Sequence, residues 1–199
     1  MKMMQAAVFA TLLLASAAAD AQAPSRVRGT ITGFDGAVMT VKSREGQDVR
    51  IELAPNASVG YMKRMSLADI KQGTPLGTSA VRGPDGKLVA RELHLFDPAR
   101  PIPNEGHRPW DLEPGSTMTN AMVTTLVTAA NGPELTLSYK GGEQRVVVPA
   151  DTPIVMAVES DRSLIVVGQY AYMQVNAGAD GKLVATRVQM TKDGVRPPQ

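Results

Sequence analysis

The stretch Asp85-Gly86-Lys87-Leu88-Val89-Ala90 recurs unchanged as Asp180-Gly181-Lys182-Leu183-Val184-Ala185, 95 residues further on. Six consecutive identities at one offset mark an internal repeat, and a repeat decides the architecture before any other feature is read. The same offset sets Gly73 against Gly168, Leu53 against Val148, Asn56 against Asp151 and Val59 against Ile154, while Thr40-Val41 meets Thr136-Leu137 after a slip of one residue. Two copies of one unit therefore run from about Arg26 to Asp97 and from about Met118 to Gly194. A unit of roughly 75 residues is small but within the range that folds alone, and two packed together bury more surface.

Within a copy the hydrophobic period is two. Val49, Ile51 and Leu53 alternate with Arg50 and Glu52, the pattern of a strand with one face on a core and the other in water. Asp35-Gly36, Glu45-Gly46, Pro84-Asp85-Gly86, Asn131-Gly132, Gly141-Gly142 and Asp180-Gly181 punctuate such runs. Pairs of this kind accept the positive φ of hairpin turns and so join antiparallel neighbours. One helical signal stands in the first copy, where Ser66 suits an N-cap, Asp69 the first turn and Gly73 the stop. The second copy keeps Gly168 but carries Leu164-Ile165-Val166-Val167 there, which predicts an extended piece or a bare turn.

Strand, hairpin, strand, extended piece, short helix and two more strands is the order of an OB-like barrel. The expected fold is therefore all-β. Residues 22–97 and 118–199 form two tandem OB-like small antiparallel β-barrels, the first with a short helix, joined by a proline-rich connector at 98–117. Gly29-Thr30-Ile31-Thr32-Gly33-Phe34-Asp35-Gly36, Met39-Thr40-Val41, the Ser66-to-Gly73 segment and the Asp-Gly-Lys-Leu-Val-Ala ending together resemble an exported bacterial family known as domain-of-unknown-function family 5666. The resemblance covers both copies. It implies an exported OB-like barrel and supplies no activity, ligand or catalytic residue.

Lys2 precedes an apolar run from Ala6 to Ala19 that ends in Ala17-Ala18-Ala19-Asp20-Ala21, the layout of a secretory signal peptide over residues 1–21. Cleavage is expected between Ala21 and Gln22, because a cut after Ala23 would put Pro24 just past the scissile bond, where its fixed φ and missing N–H fit poorly. The run falls short of the roughly 20 residues that span a bilayer, and no later apolar stretch approaches that length, so the mature chain is expected to be soluble and periplasmic, with no membrane span.

Composition narrows the function. The chain has no Cys, which excludes a disulfide framework and a thiolate metal site. Lys and Arg number 21 against 19 Asp and Glu, and there are eight aromatics in 199 residues. Single-strand binding requires a basic groove and a row of stacking rings, so nucleic acid is not an expected partner. No Ser stands in a Gly-x-Ser-x-Gly elbow, no spacing selects a carboxylate pair for glycoside cleavage, and there is no Gly-rich phosphate loop; no catalytic residue or cofactor is assigned. The mature methionines, Met39, Met62, Met65, Met118, Met122, Met156, Met173 and Met190, are scattered and read as core filling rather than copper ligands.

The connector from Pro98 to Thr117 is the least generic stretch. It holds five of the 14 prolines, the only Trp and one of the two His, and a long segment of this kind in a compact protein is usually functional or a tether. Two readings follow. In one, Trp110 packs in the seam between the barrels, with Arg108 and Asp111 paired beside it. In the other, His107, Arg108 and Asp111 form a small polar pocket walled by Trp110, with Glu105 close by, which binds an envelope partner or a small ligand without chemistry. An alternative is a metal-binding or metal-dependent hydrolytic protein built on His107, Asp111 and His94, types adequate for zinc. The two His lie 13 residues apart with no His-x-His or His-Glu-x-x-His spacing to fix them on one face. His94 and its counterpart Gln189 both alternate with apolar neighbours, which predicts a solvent-facing position for each.

Overall fold

The computed structural model describes residues 25–129, 132–178 and 181–197. The expected leader over residues 1–21, its expected cut between Ala21 and Gln22, and Asn131 and Asp180 of two expected turns lie outside the described residues. The chain runs β1 (Ser25–Phe34), β2 (Val38–Ser43), β3 (Asp48–Arg64), a 3-10 turn (Leu67–Asp69), β4 (Pro75–Arg82), β5 (Leu88–Leu95), β6 (Gly106–Pro109) and β7 (Thr117–Ala129). It continues through β8 (Gly132–Tyr139), β9 (Gly142–Val147), β10 (Ile154–Ser160), a second 3-10 turn (Arg162–Leu164), β11 (Tyr170–Ala177) and β12 (Leu183–Met190). The fold is nearly all β, and among the described residues no helix is long and apolar enough to cross a membrane.

The short helix expected after Ser66 is a single 3-10 turn. The Asp69 carboxylate accepts the Ser66 N–H and hydroxyl, both at 2.8 Å, but Ile70 turns extended and sinks into the core at 2% exposure, which ends the coil after three residues. The second copy is not bare either. Asp161 stands 95 residues after Ser66, accepts the Ser163 N–H at 2.8 Å and starts an equivalent turn. Gly73 and Gly168 leave the two turns at φ of +85° and +90°, a region that favours glycine.

The strands close on themselves. β1, β2, β3, β12 and β11 form a ring that returns to β1, antiparallel everywhere except between β3 and β12. β4, β5, β9, β8 and β7 form a second ring that returns to β4, parallel only between β5 and β9. Alternation along the strands fills both. Ile31, Met39, Val41, Ile51, Met173 and Met190 are fully buried in the first ring, and Leu76, Leu93, Leu135, Leu137 and Val146 in the second.

Each ring draws on both sequence copies. β1–β3 of the first copy are completed by the β11–β12 hairpin of the second, and β7–β9 of the second by the β4–β5 hairpin of the first. The copy in the sequence and the closed ring in space are thus different units. The rings meet where the last part of β3 pairs antiparallel with β10. Met62 there faces Ala157, the residue 95 positions later, so the two copies meet at equal positions, as the halves of an isologous interface do. Gly60 permits this approach, since a Cβ at that position would collide with the Val158 carbonyl.

Candidate functional site

The connector crosses between the two rings and is fastened to both. β6 lies antiparallel along β7, with His107 opposite Thr119 and Arg108 opposite Met118. Successive residues of a strand point to opposite faces, so His107 and Arg108 diverge instead of sharing a pocket. His107 Nδ1 lies 2.8 Å from the hydroxyl of fully buried Thr119. Burial and, after it, the charges of Arg82 and Arg108 hold the imidazole pKa below its ordinary value. Glu105 turns elsewhere, accepting the Lys140 N–H at 2.9 Å.

Trp110, Arg108 and Asp111 come together, but with partners from the start of the chain. Asp111 takes a two-pronged contact from Arg28, whose Nη1 and Nη2 donate at 3.1 and 3.0 Å. Arg26 stands 3.6 Å from the same carboxylate, and Arg44 donates to the Asp111 carbonyl at 3.3 Å. Burial acts to raise the Asp111 pKa, but the Arg28 hydrogen bonds and the charges of Arg28 and Arg26 outweigh it and hold the carboxyl below its ordinary value. The Arg26 guanidinium covers the Trp110 ring at 4.0 Å and that of Arg108 sits 5.7 Å away, both within cation–π reach. Arg108 does not pair with Asp111; it donates to the Asn104 carbonyl at 2.8 Å. Ser116 closes the loop by donating to the Trp110 carbonyl. Trp110 and Asp111 therefore work as a clamp that fixes the connector to β1, while Glu113, 2.7 Å from Arg91 Nε, ties it to β5.

The metal candidates do not converge. His107 is held by Thr119, Asp111 by Arg28, and His94 Nε2 lies 2.9 Å from Glu92 Oε1, off the line of a hydrogen bond. Among the described residues no group of three or more His, Asp or Glu is placed to hold a metal ion. His94 and Gln189 are also not on a solvent face. The His94 side chain is 18% exposed and Gln189 7%; β5 is paired with β4, β9 and β10, and β12 with β3 and β11.

Sequence reasoning missed an open groove at the seam. A groove of about 780 Å³ lies where the end of β3, the start of β10, the β9–β10 loop and the segment after β12 meet. Leu67, Pro149, Ala150, Asp151, Glu92 and Arg196 line it, and the Thr152 hydroxyl beside them is buried with no partner. One signal stood in the sequence. Pro149 and Pro153 bracket Ala150-Asp151-Thr152, and two residues without a donor at that spacing break the strand that runs unbroken as β3 in the first copy. No family model, curated protein or solved structure matches the chain.

Proposed function

We propose that the protein is an exported, non-enzymatic binding module of the bacterial envelope: two OB-like barrels with exchanged hairpins that hold a segment of a partner protein in the groove at their seam. The observation that carries this reading is the groove itself, whose walls come from both rings and from backbone that packing fixes. Concave sites with an apolar lining and a few placed polar groups are where ligands bind, and Leu67, Pro149 and Ile154 beside Glu92, Asp151 and Arg196 have that make-up. The connector, first a candidate pocket, supplies rigidity. It bonds to β1 through Asp111, to β7 through β6 and to β5 through Glu113, which preserves the shape of the seam between free and bound states.

Export rests on the charged start, the apolar run and the Ala17–Ala21 ending. Site-specific photo-cross-linking in cells tests both parts. A photoreactive residue at Ala150 or Asp151 is expected to trap a discrete protein adduct from the envelope fraction, and the mature chain to begin at Gln22 by mass spectrometry. Normal accumulation of the protein with no adduct from either position overturns the binding reading, and a chain retaining residues 1–21 overturns export.

A further inference from the structure

The two copies treat one place differently. In the second copy the turn after β10 carries Arg162, whose Nη2 donates to the carbonyls of Ala54 and Pro55, each at 2.8 Å, and so caps the irregular stretch of β3 in the other copy. The residue 95 positions before Arg162 is Leu67, and the residues 95 positions after Ala54 and Pro55 are Pro149 and Ala150. All three line the open groove. The first copy thus holds a guanidinium on two carbonyls of a bulged stretch of β3, and the second has a leucine in place of the arginine and an open loop at the corresponding backbone.

The charges around the groove change in the complementary sense. Asp151 stands where the first copy has Asn56, and Glu92 where the second has Arg187, so two carboxylates border the unplugged loop. Glu92 is largely buried, with its side chain 12% exposed, where a carboxylate interacts strongly with an incoming cation. One exchange runs the other way, Arg64 in place of Glu159; Arg64 is exposed at the rim. Arg196, the other cation of the groove, has its guanidinium over Tyr170 at 5.1 Å.

We infer that the groove takes the guanidinium of an arginine side chain in an extended segment of a protein partner, seated on the Pro149 and Ala150 carbonyls as Arg162 is seated on Ala54 and Pro55. The inference rests on the binding reading above and names the chemistry that the groove selects. Arginine is favoured over lysine by donor count. Placing two N–H bonds on the carbonyls leaves a guanidinium three more for Asp151 and Glu92, and an ammonium only one. The Pro149 carbonyl already accepts the Thr152 N–H at 3.1 Å, and its second lone pair remains for the ligand.

The test uses acetyl-Ala-Arg-Ala-amide on the full mature chain, followed through the backbone NMR shifts of Ala150, Asp151 and Thr152. Saturable binding with a dissociation constant on the order of 1 mM is expected, with the lysine peptide about tenfold weaker and the norleucine peptide silent. Leu67→Arg is expected to abolish binding, because the new side chain fills the loop from within as Arg162 does. Since Leu67 also packs against the core, Asp151→Asn with Glu92→Gln provides a second variant, expected to weaken binding at least tenfold. Equal binding of the arginine and norleucine peptides, or full binding by a folded Leu67→Arg or by the double carboxamide variant, overturns the inference. An envelope adduct that still forms at Ala150 in Leu67→Arg overturns it while leaving the binding module intact.

Discussion

Asp111→Ala removes the carboxylate that pairs with Arg28, and the cost follows from how unequally the pair is buried. Arg28 is 3% exposed and Asp111 44%. Breaking a fully buried pair costs about 3–5 kcal/mol because a charge is stranded, whereas an exposed pair contributes about 0–1 kcal/mol. A pair with one buried and one half-exposed partner belongs between these limits, and two charge-assisted hydrogen bonds are lost, so about 2 kcal/mol is expected. In a protein of this size that lowers the thermal midpoint by about 4–8 °C. Arg28→Met removes the buried charge and keeps the packing, so adding Asp111→Ala to it should cost little. The double-mutant cycle, measured by urea unfolding, should return a coupling of about 1–2 kcal/mol. Hydrogen exchange should show the loss of protection at Gly106, His107 and Arg108 before any at Leu135 or Leu137. A coupling below about 0.5 kcal/mol, or unchanged protection along β6, refutes the clamp.

Leu93→Ala opens a cavity in the second ring and should cost about 2–5 kcal/mol; because the hairpins are exchanged, amide exchange at Ile31 and Met173 in the first ring should rise with it, and loss confined to the second ring would show that the rings unfold separately. Gly60→Ala forces a Cβ onto the Val158 carbonyl and should cost about 1–3 kcal/mol by prying β3 from β10, read as a lower urea midpoint. The pKa of His107 lies below its ordinary 6.5 in the folded state, so between that value and the folded one the unfolded chain binds more protons, and stability falls as pH drops from neutral through about 6.5. His107→Gln should flatten the thermal midpoint between about pH 7 and pH 5, and an unchanged slope would locate the dependence elsewhere. For Asp111, whose carboxyl lies below its ordinary 3.8, the sign is the same in a more acidic window: its contribution is complete above that value and is lost as pH falls through the folded pKa.

The parts of the fold carried by local pattern were readable in the sequence. Alternation around Ile51 placed it and Leu53 inward, and Gly36, Gly46, Gly86 and Gly141 all adopt positive φ at hairpin turns. The hairpin exchange was not readable. Leu88-Val89-Ala90 and Leu183-Val184-Ala185 are the same letters, so either strand offers the same face to either ring, and the choice rests on how β3 continues into its pairing with β10. In the connector, Trp110 and Asp111 announced themselves by type, but the partner of Asp111 is Arg28, 83 residues away, a separation that no spacing rule reaches. His107 and Glu105 were grouped with them by proximity in sequence, and the pleat of β6 sends His107 to another face.

Exchange of hairpins also explains why an opening in one ring concerns the whole molecule. A set of three strands from one copy has two free edges, β1 and β3 or β7 and β9, and only the other copy's hairpin covers both; neither ring closes until both copies have folded. The groove at the seam is then shaped by elements whose positions are fixed by both cores. Anything that binds it stabilises the folded state through mass action, and the gain should register in both rings alike. The irregular stretch of β3 at Ala54 and Pro55 satisfies this need internally through Arg162. Among the described residues no arginine is bonded to the Pro149 or Ala150 carbonyls of the β9–β10 loop, where Leu67 holds the related position, and this asymmetry between the copies points to the place where a ligand from outside would add to stability.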